Sequence, residues 1–119
     1  MFDHIGFRVR DLAVSRRFYE TALKPLGHVV AAEGEGYVGL GPAGAPALWL
    51  CASDAGPGPG CHAAFTAPDH AAVHAFHEGG LGTGGRDNGP PGPRPDYSVT
   101  YYAAFLIDPD GNNIEAVCP

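Results

Sequence analysis

The chain repeats itself once. Displaced by 58 residues it superposes His4 on His62, Phe7 on Phe65, Asp11 on Asp69, Ala13 on Ala71 and Phe18 on Phe76, and the match runs on through Glu20 and Glu78, Leu23 and Leu81, and Gly27 and Gly85. In a chain of 119 residues, a single interval of this kind describes two copies of one supersecondary unit. Each copy opens with a histidine.

Residues 2–9 alternate: Ile5, Phe7 and Val9 share one face, and His4, Gly6 and Arg8 share the other, the period of a strand. Asp11 is placed to cap a helix over Leu12–Leu23, with Val14, Phe18 and Leu23 as its apolar stripe; Pro25 and Gly27 end it. Three short apolar runs follow, His28–Ala32, Gly36–Leu40 and Ala47–Cys51, so the first copy reads β-α-β-β-β. The second opens with a strand over Cys61–Ala67, then a helix capped by Asp69 with Val73, Phe76 and Leu81 as its stripe. Gly79, Gly80 and Gly82 predict that this helix frays early, since each helical glycine costs about 1 kcal/mol relative to alanine. Arg86–Ser98, rich in Pro and Gly, reads as a long loop. Tyr101–Ile107 and Asn113–Cys118 read as a hairpin about the tight turn Asp108-Pro109-Asp110-Gly111. The expectation is one α+β domain over residues 1–119, made of paired modules at 1–53 and 61–119.

Composition narrows the partners. Seven Lys and Arg against 13 Asp and Glu leave a net charge of −6, which repels nucleic acid and anionic membrane surfaces. The 18 glycines and 12 prolines cluster between the apolar runs and therefore mark loops on a folded scaffold. Cys51, Cys61 and Cys118 are odd in number and lack Cys-x-x-Cys spacing, which points away from a disulfide framework and towards a reducing cytoplasm. Neither a leader nor an apolar run near 18 residues is expected.

If the two copies curl together, their first strands become walls of one cavity, bringing His4 and His62 together. Glu115, on the last strand between Ile114 and Ala116, adds a carboxylate. Two imidazoles and a carboxylate leave coordination positions open, as non-haem Fe(II) and catalytic zinc sites require. Each histidine alone has a plainer reading, hydrogen-bonded or solvated; it is their joint placement that points to metal. His70, His74 and His77 form a competing cluster on one helix face, expected to stand largely in solvent. The chain lacks a Gly-x-Ser-x-Gly nucleophile setting and phosphate-cradling glycine motifs.

The repeated β-α-β-β-β pattern, Asp3-His4-Ile5-Gly6-Phe7, Phe18-Tyr19-Glu20 and the closing Asp108-Pro109-Asp110-Gly111-Asn112-Asn113-Ile114-Glu115 resemble the vicinal oxygen chelate superfamily of glyoxalases, bleomycin resistance proteins and extradiol dioxygenases. The resemblance implies a cup of mixed sheet holding a divalent metal (Fe, Mn, Zn or Ni) on His4, His62 and Glu115, with Glu115 also the candidate catalytic group. It implies a small-molecule substrate and a homodimer, sometimes with each cup drawn from two chains. Glyoxalase I has a fourth ligand, a carboxylate, where this chain has Trp49, so lactoylglutathione lyase activity is not expected. The three-ligand set is similar to that of fosfomycin-modifying thiol transferases and extradiol dioxygenases, although no counterpart of the transferases' C-terminal basic residue follows the last strand. Arg8, Tyr37, Trp49, Arg94, Tyr97 and Tyr101 are the candidate substrate-binding residues, each with a packing or solvated role as its plainer reading. The alternative function is a metal-free drug-binding protein of the bleomycin resistance type.

Overall fold

A computed structural model describes residues 1–119. The first module consists of β1 (Ile5–Val9), α1 (Leu12–Leu23), a 3-10 turn (Lys24–Leu26), β2 (Val29–Gly34), β3 (Tyr37–Gly41) and β4 (Leu48–Ala52). The second consists of β5 (His62–Thr66), α2 (His70–Leu81), β6 (Arg86–Pro93), β7 (Tyr102–Ile107) and β8 (Asn113–Cys118). Each module forms its own four-stranded mixed sheet, ordered β1-β4-β3-β2 and β5-β8-β7-β6. In each, the first strand runs parallel to the last and the other pairings are antiparallel. The fold is therefore the expected α+β pair of β-α-β-β-β modules.

Both helices start where an aspartate accepts from the backbone. Asp11 takes Val14 N at 3.1 Å and Asp69 takes Ala72 N at 2.8 Å, satisfying donors that a helix start leaves free. Gly27, in the left-handed region at φ 93°, turns the chain out of the 3-10 segment into β2. The two helices pack on each other and on one face of the sheets around a shared core that includes Phe18, Phe76, Leu23, Leu50, Leu106 and Ile114. By strand parity the opposite faces carry Gly6, Arg8, Trp49 and Cys51 in the first module, and His62, Ala64, Phe105 and Glu115 in the second.

Four expectations need correction. Residues 86–93 form strand β6 instead of a loop. The strand lies at the sheet edge and its register shifts twice, the situation in which Pro90, Pro91 and Pro93 can be accommodated without amide donors. Helix α2 does not fray early: it reaches Leu81, because Gly80 lies where a Cβ would come within 2.2 Å of Leu106 and 3.2 Å of Phe18. Glycine here permits close packing, which holds the last turn. Val14 and Leu81 are exposed, and the inward face of α1 is completed instead by Ser15, Tyr19 and Ala22. Finally, one of the α2 histidines is withdrawn from solvent: His70 and His74 are exposed as expected, while the His77 side chain is only 12% exposed. His70 stacks on Tyr102 at 3.7 Å, His74 Nε2 shares a 2.6 Å hydrogen bond with the Tyr102 hydroxyl, and His77 Nε2 meets Asp87 at 2.8 Å.

The Asp108–Asn112 segment is more than a hairpin turn. Asp108, buried, accepts the Tyr19 hydroxyl at 2.5 Å, and Asp110 accepts Arg10 N and Ser15 Oγ at 3.2 Å each. Asn112 accepts Cys61 N at 3.0 Å. The turn of the second module is thus bonded to the first helix of the first, which fixes how the two sheets sit.

Candidate metal centre

Glu115 lies in the middle of β8, opposite Ala64 of β5 and Phe105 of β7. It is only 2% exposed. A buried carboxylate must be paired, and both oxygens are. Oε1 accepts the Tyr101 hydroxyl at 2.6 Å, and Oε2 faces His62 Nε2 at 3.1 Å. The Tyr101 phenol, holding that hydrogen bond and partly desolvated, is pushed up to about 12. Tyr97 packs edge-on against it at 5.0 Å.

The His62 ring is oriented from its other side. Nδ1 lies 3.1 Å from the Asn113 carbonyl oxygen, which can only accept, so Nδ1 carries the proton. Nε2 then faces a carboxylate oxygen, an arrangement that requires a cation between them, either a proton or a metal ion. Two donors bound to one metal at about 2.1 Å and near a right angle stand about 3 Å apart. The observed spacing and the nitrogen-plus-oxygen donor set both fit a divalent ion. Phe105 stacks beside the imidazole at 6.4 Å and walls this side.

His4 does not join them. It is exposed just before β1, with Nδ1 on Asp3 at 2.6 Å, and within one chain no three His, Cys, Asp or Glu side chains converge as a metal site. Arg8, exposed on the open face of β1, makes no ion pair; its guanidinium lies against Gly58 of the inter-module linker, where a Cβ would stand 3.4 Å away. Trp49 and Tyr37 pack together on the same face at 5.9 Å, the indole lying over Gly39. Trp49 pairs with Gly6 and Glu115 with Ala64, positions 58 apart, so Trp49 holds the place in module one that Glu115 holds in module two. Arg94 is tied to its own loop, donating to the carbonyls of Pro90 at 2.7 Å and Pro93 at 3.3 Å and lying 5.4 Å from the Phe105 ring centre. The groups not anticipated from sequence are Asn113, through its carbonyl, and Phe105. Tyr101, a candidate substrate-binding residue from the sequence, bonds Glu115 directly.

The chain matches the model of the Glyoxalase/Bleomycin resistance protein/Dioxygenase superfamily over residues 1–116. It belongs to that superfamily. Among solved superfamily structures it is similar to a glyoxalase/bleomycin resistance protein from Albidiferax ferrireducens T118, at 30% identity and TM-score 0.86, over 100% of this chain and 98% of that one. It is also similar to glyoxalase I from Zea mays, at 25% identity and TM-score 0.75, over 97% of this chain and 44% of the maize chain. A glyoxalase-related enzyme from Fulvimarina pelagi, at 18% identity and TM-score 0.73 over 97% of this chain and 85% of that one, shares the fold. No curated protein sequence matches significantly. No helix is long and apolar enough to cross a membrane.

Proposed function

We propose that this superfamily member is a metal-dependent enzyme acting on a small oxygenated molecule, with its centre assembled between two copies in a homodimer: His62 and Glu115 from one, His4 from the other. The observation that carries the reading is His62 Nε2 facing the Glu115 carboxylate at 3.1 Å while Nδ1 is turned to the Asn113 carbonyl. A bound Fe, Mn, Zn or Ni ion would supply Lewis-acid stabilisation of negative charge developing on a substrate oxygen. The chain's own groups prepare for it. Tyr101 occupies Oε1 and so leaves Oε2 as the single free donor of Glu115. Arg8 lies four residues beyond His4, roughly 13 Å along the chain, on the open face of β1, and its unpaired guanidinium suits an anionic end of the substrate. Trp49 and Tyr37 offer an apolar wall, with Tyr97 at the rim. Arg94 contributes by shaping the loop.

Trp49 favours a second reading. An aromatic side chain at the place symmetric to Glu115, beside Tyr37, suits a cup that holds a ligand without turning it over, as a drug-sequestering protein does. Zinc titration of protein purified without chelator separates the two. Saturable binding is expected, abolished by His62→Ala and weakened roughly ten- to hundredfold by Tyr101→Phe, which removes the support of a ligand while leaving the ligand in place. Zinc binding indifferent to both His62→Ala and Glu115→Gln would transfer the argument to sequestration. Turnover is then sought with metal-reconstituted protein on hemithioacetals, catechols, and fosfomycin with thiols.

A further inference from the structure

The internal repeat is broken in the interior where the third strand of each module turns into the fourth. Leu40 pairs with Leu48 and Leu106 with Ile114, while Leu48 pairs with Ile5 and Ile114 with Ala63, so Pro42 is the counterpart of Asp108. In module two the space at this turn is filled by Tyr19. That ring is fully buried, lies 6.2 Å from Phe7 and bonds Asp108 through its hydroxyl. Displaced by 58 residues, Tyr19 and Phe7 become His77 and Phe65. His77 turns away to Asp87, and what remains beside Phe65 and Pro42 is a cavity of about 220 Å³.

Its inner walls are apolar, from Ile5, Leu23, Leu40, Leu48 and Phe65, with the His28 ring among them and the exposed Asp3 and His4 also lining the site. His28 Nδ1 is buried with no partner, and burial lowers the pKa of this imidazole, so the ring is neutral near pH 7. A neutral imidazole offers one N–H and one lone pair, and a phenolic hydroxyl, both donor and acceptor, can satisfy either. Apolar cavities of about 150 Å³ already take up benzene. An anionic ligand would lose its hydration against these walls with no countercharge at His28, and the one carboxylate in the lining, Asp3, is solvent-exposed and bonded to His4.

We propose that this cavity is a binding site for a small phenol, a free equivalent of the tyrosine ring that fills the matching place in the other module. It lies on the helix-facing side of the first sheet, opposite Trp49, with His4 only at its mouth. The site therefore faces away from the Trp49 side of the sheet and shares only His4 with the centre proposed above.

The probe is p-cresol, the tyrosine side chain as a free molecule, titrated against isotope-labelled protein and followed by NMR shifts of Phe65 and His28. Saturable binding with a Kd on the order of 1 mM is expected, with toluene about fivefold weaker for want of the hydroxyl. His28→Phe should remove that preference and leave toluene binding unchanged. Ala47→Leu, at a partly exposed wall position, should abolish binding of both while the melting temperature holds. His62→Ala should leave p-cresol binding intact. Absence of saturable binding, equal affinity for toluene, survival of binding in Ala47→Leu, or its loss in His62→Ala would each overturn the proposal.

Discussion

Asp108 shows how much one side chain organises. Its Oδ1 accepts the backbone amides of Asp110 at 2.9 Å and Asn112 at 2.8 Å, and its Oδ2 accepts the Tyr19 hydroxyl at 2.5 Å and Asn112 Nδ2 at 2.9 Å. Four donors on a carboxylate that is 3% exposed make burial of the charge tolerable. Tyr19→Phe removes one donor and leaves the charge in place, so unfolding free energy should fall by about 2 kcal/mol. Burial, then the neighbouring Asp108 charge, hold the Tyr19 phenol well above its ordinary value of 10.0. Its neutral form is thus favoured in the folded state, and the stability this contributes is complete below about pH 10 and lost as pH rises further. Urea melts should therefore show a constant difference between wild type and Tyr19→Phe from about pH 7 to 9 that narrows above about pH 10. A difference that widens in alkali would mean that the phenol is not held neutral.

Among the elements, α2 is where intrinsic preference and packing pull apart. Propensity alone says that replacing any of its glycines by alanine gains up to about 1 kcal/mol. Gly82 obeys: it closes the helix in the right-handed region with ordinary contacts around a built Cβ, so Gly82→Ala should be neutral or mildly stabilising. Gly80→Ala must displace Leu106, whose Cδ1 would lie 2.2 Å away, and should destabilise by about 1–3 kcal/mol. Thermal melts of the two variants, shifting in opposite directions or with only Gly80→Ala falling, check the argument. The same contrast explains what could be read in advance. Helix ends were legible because Asp11, Asp69 and Gly27 act locally, and β1 and β8 because alternation declares their two faces. Strand β6 was not, because Pro90, Pro91 and Pro93 erase the pattern and only an edge position permits them. That His62 and Glu115 share a face was legible through strand parity, whereas the repeat, which sets His4 beside His62, does not bring those two together within one chain. The Tyr101–Glu115 bond was not, since it depends on how the 94–101 loop folds back over β8, and neither was the Tyr19–Asp108 bond, whose two ends lie in different modules.

At the scale of the whole molecule, the strap from Asp108 and Asp110 to Tyr19, Ser15 and Arg10 ties the two modules together. The helices fill one side of both sheets and leave the others open, with Tyr37 on the first and Tyr97 and Val99 beside the second exposed. Within this frame His4 stands apart from His62 and Glu115, so the proposed centre is completed only by a second copy, and two-fold symmetry then gives two equivalent centres per dimer. This has a consequence that no single-chain site can imitate. His4→Ala homodimers lack the first imidazole at both centres and His62→Ala homodimers lack the second at both, so neither alone should show saturable zinc binding. Unfolding the two variants together and refolding them as an equal mixture makes about half of the dimers mixed. In a mixed dimer one centre loses both histidines and the other regains both, so about a quarter of all centres should recover wild-type affinity. Zinc titration of the refolded mixture, with each variant refolded alone as its control, reads the recovered fraction directly. Recovery near a quarter requires that His4 and His62 act across chains. A mixture no better than its components would leave the two histidines without a common ion.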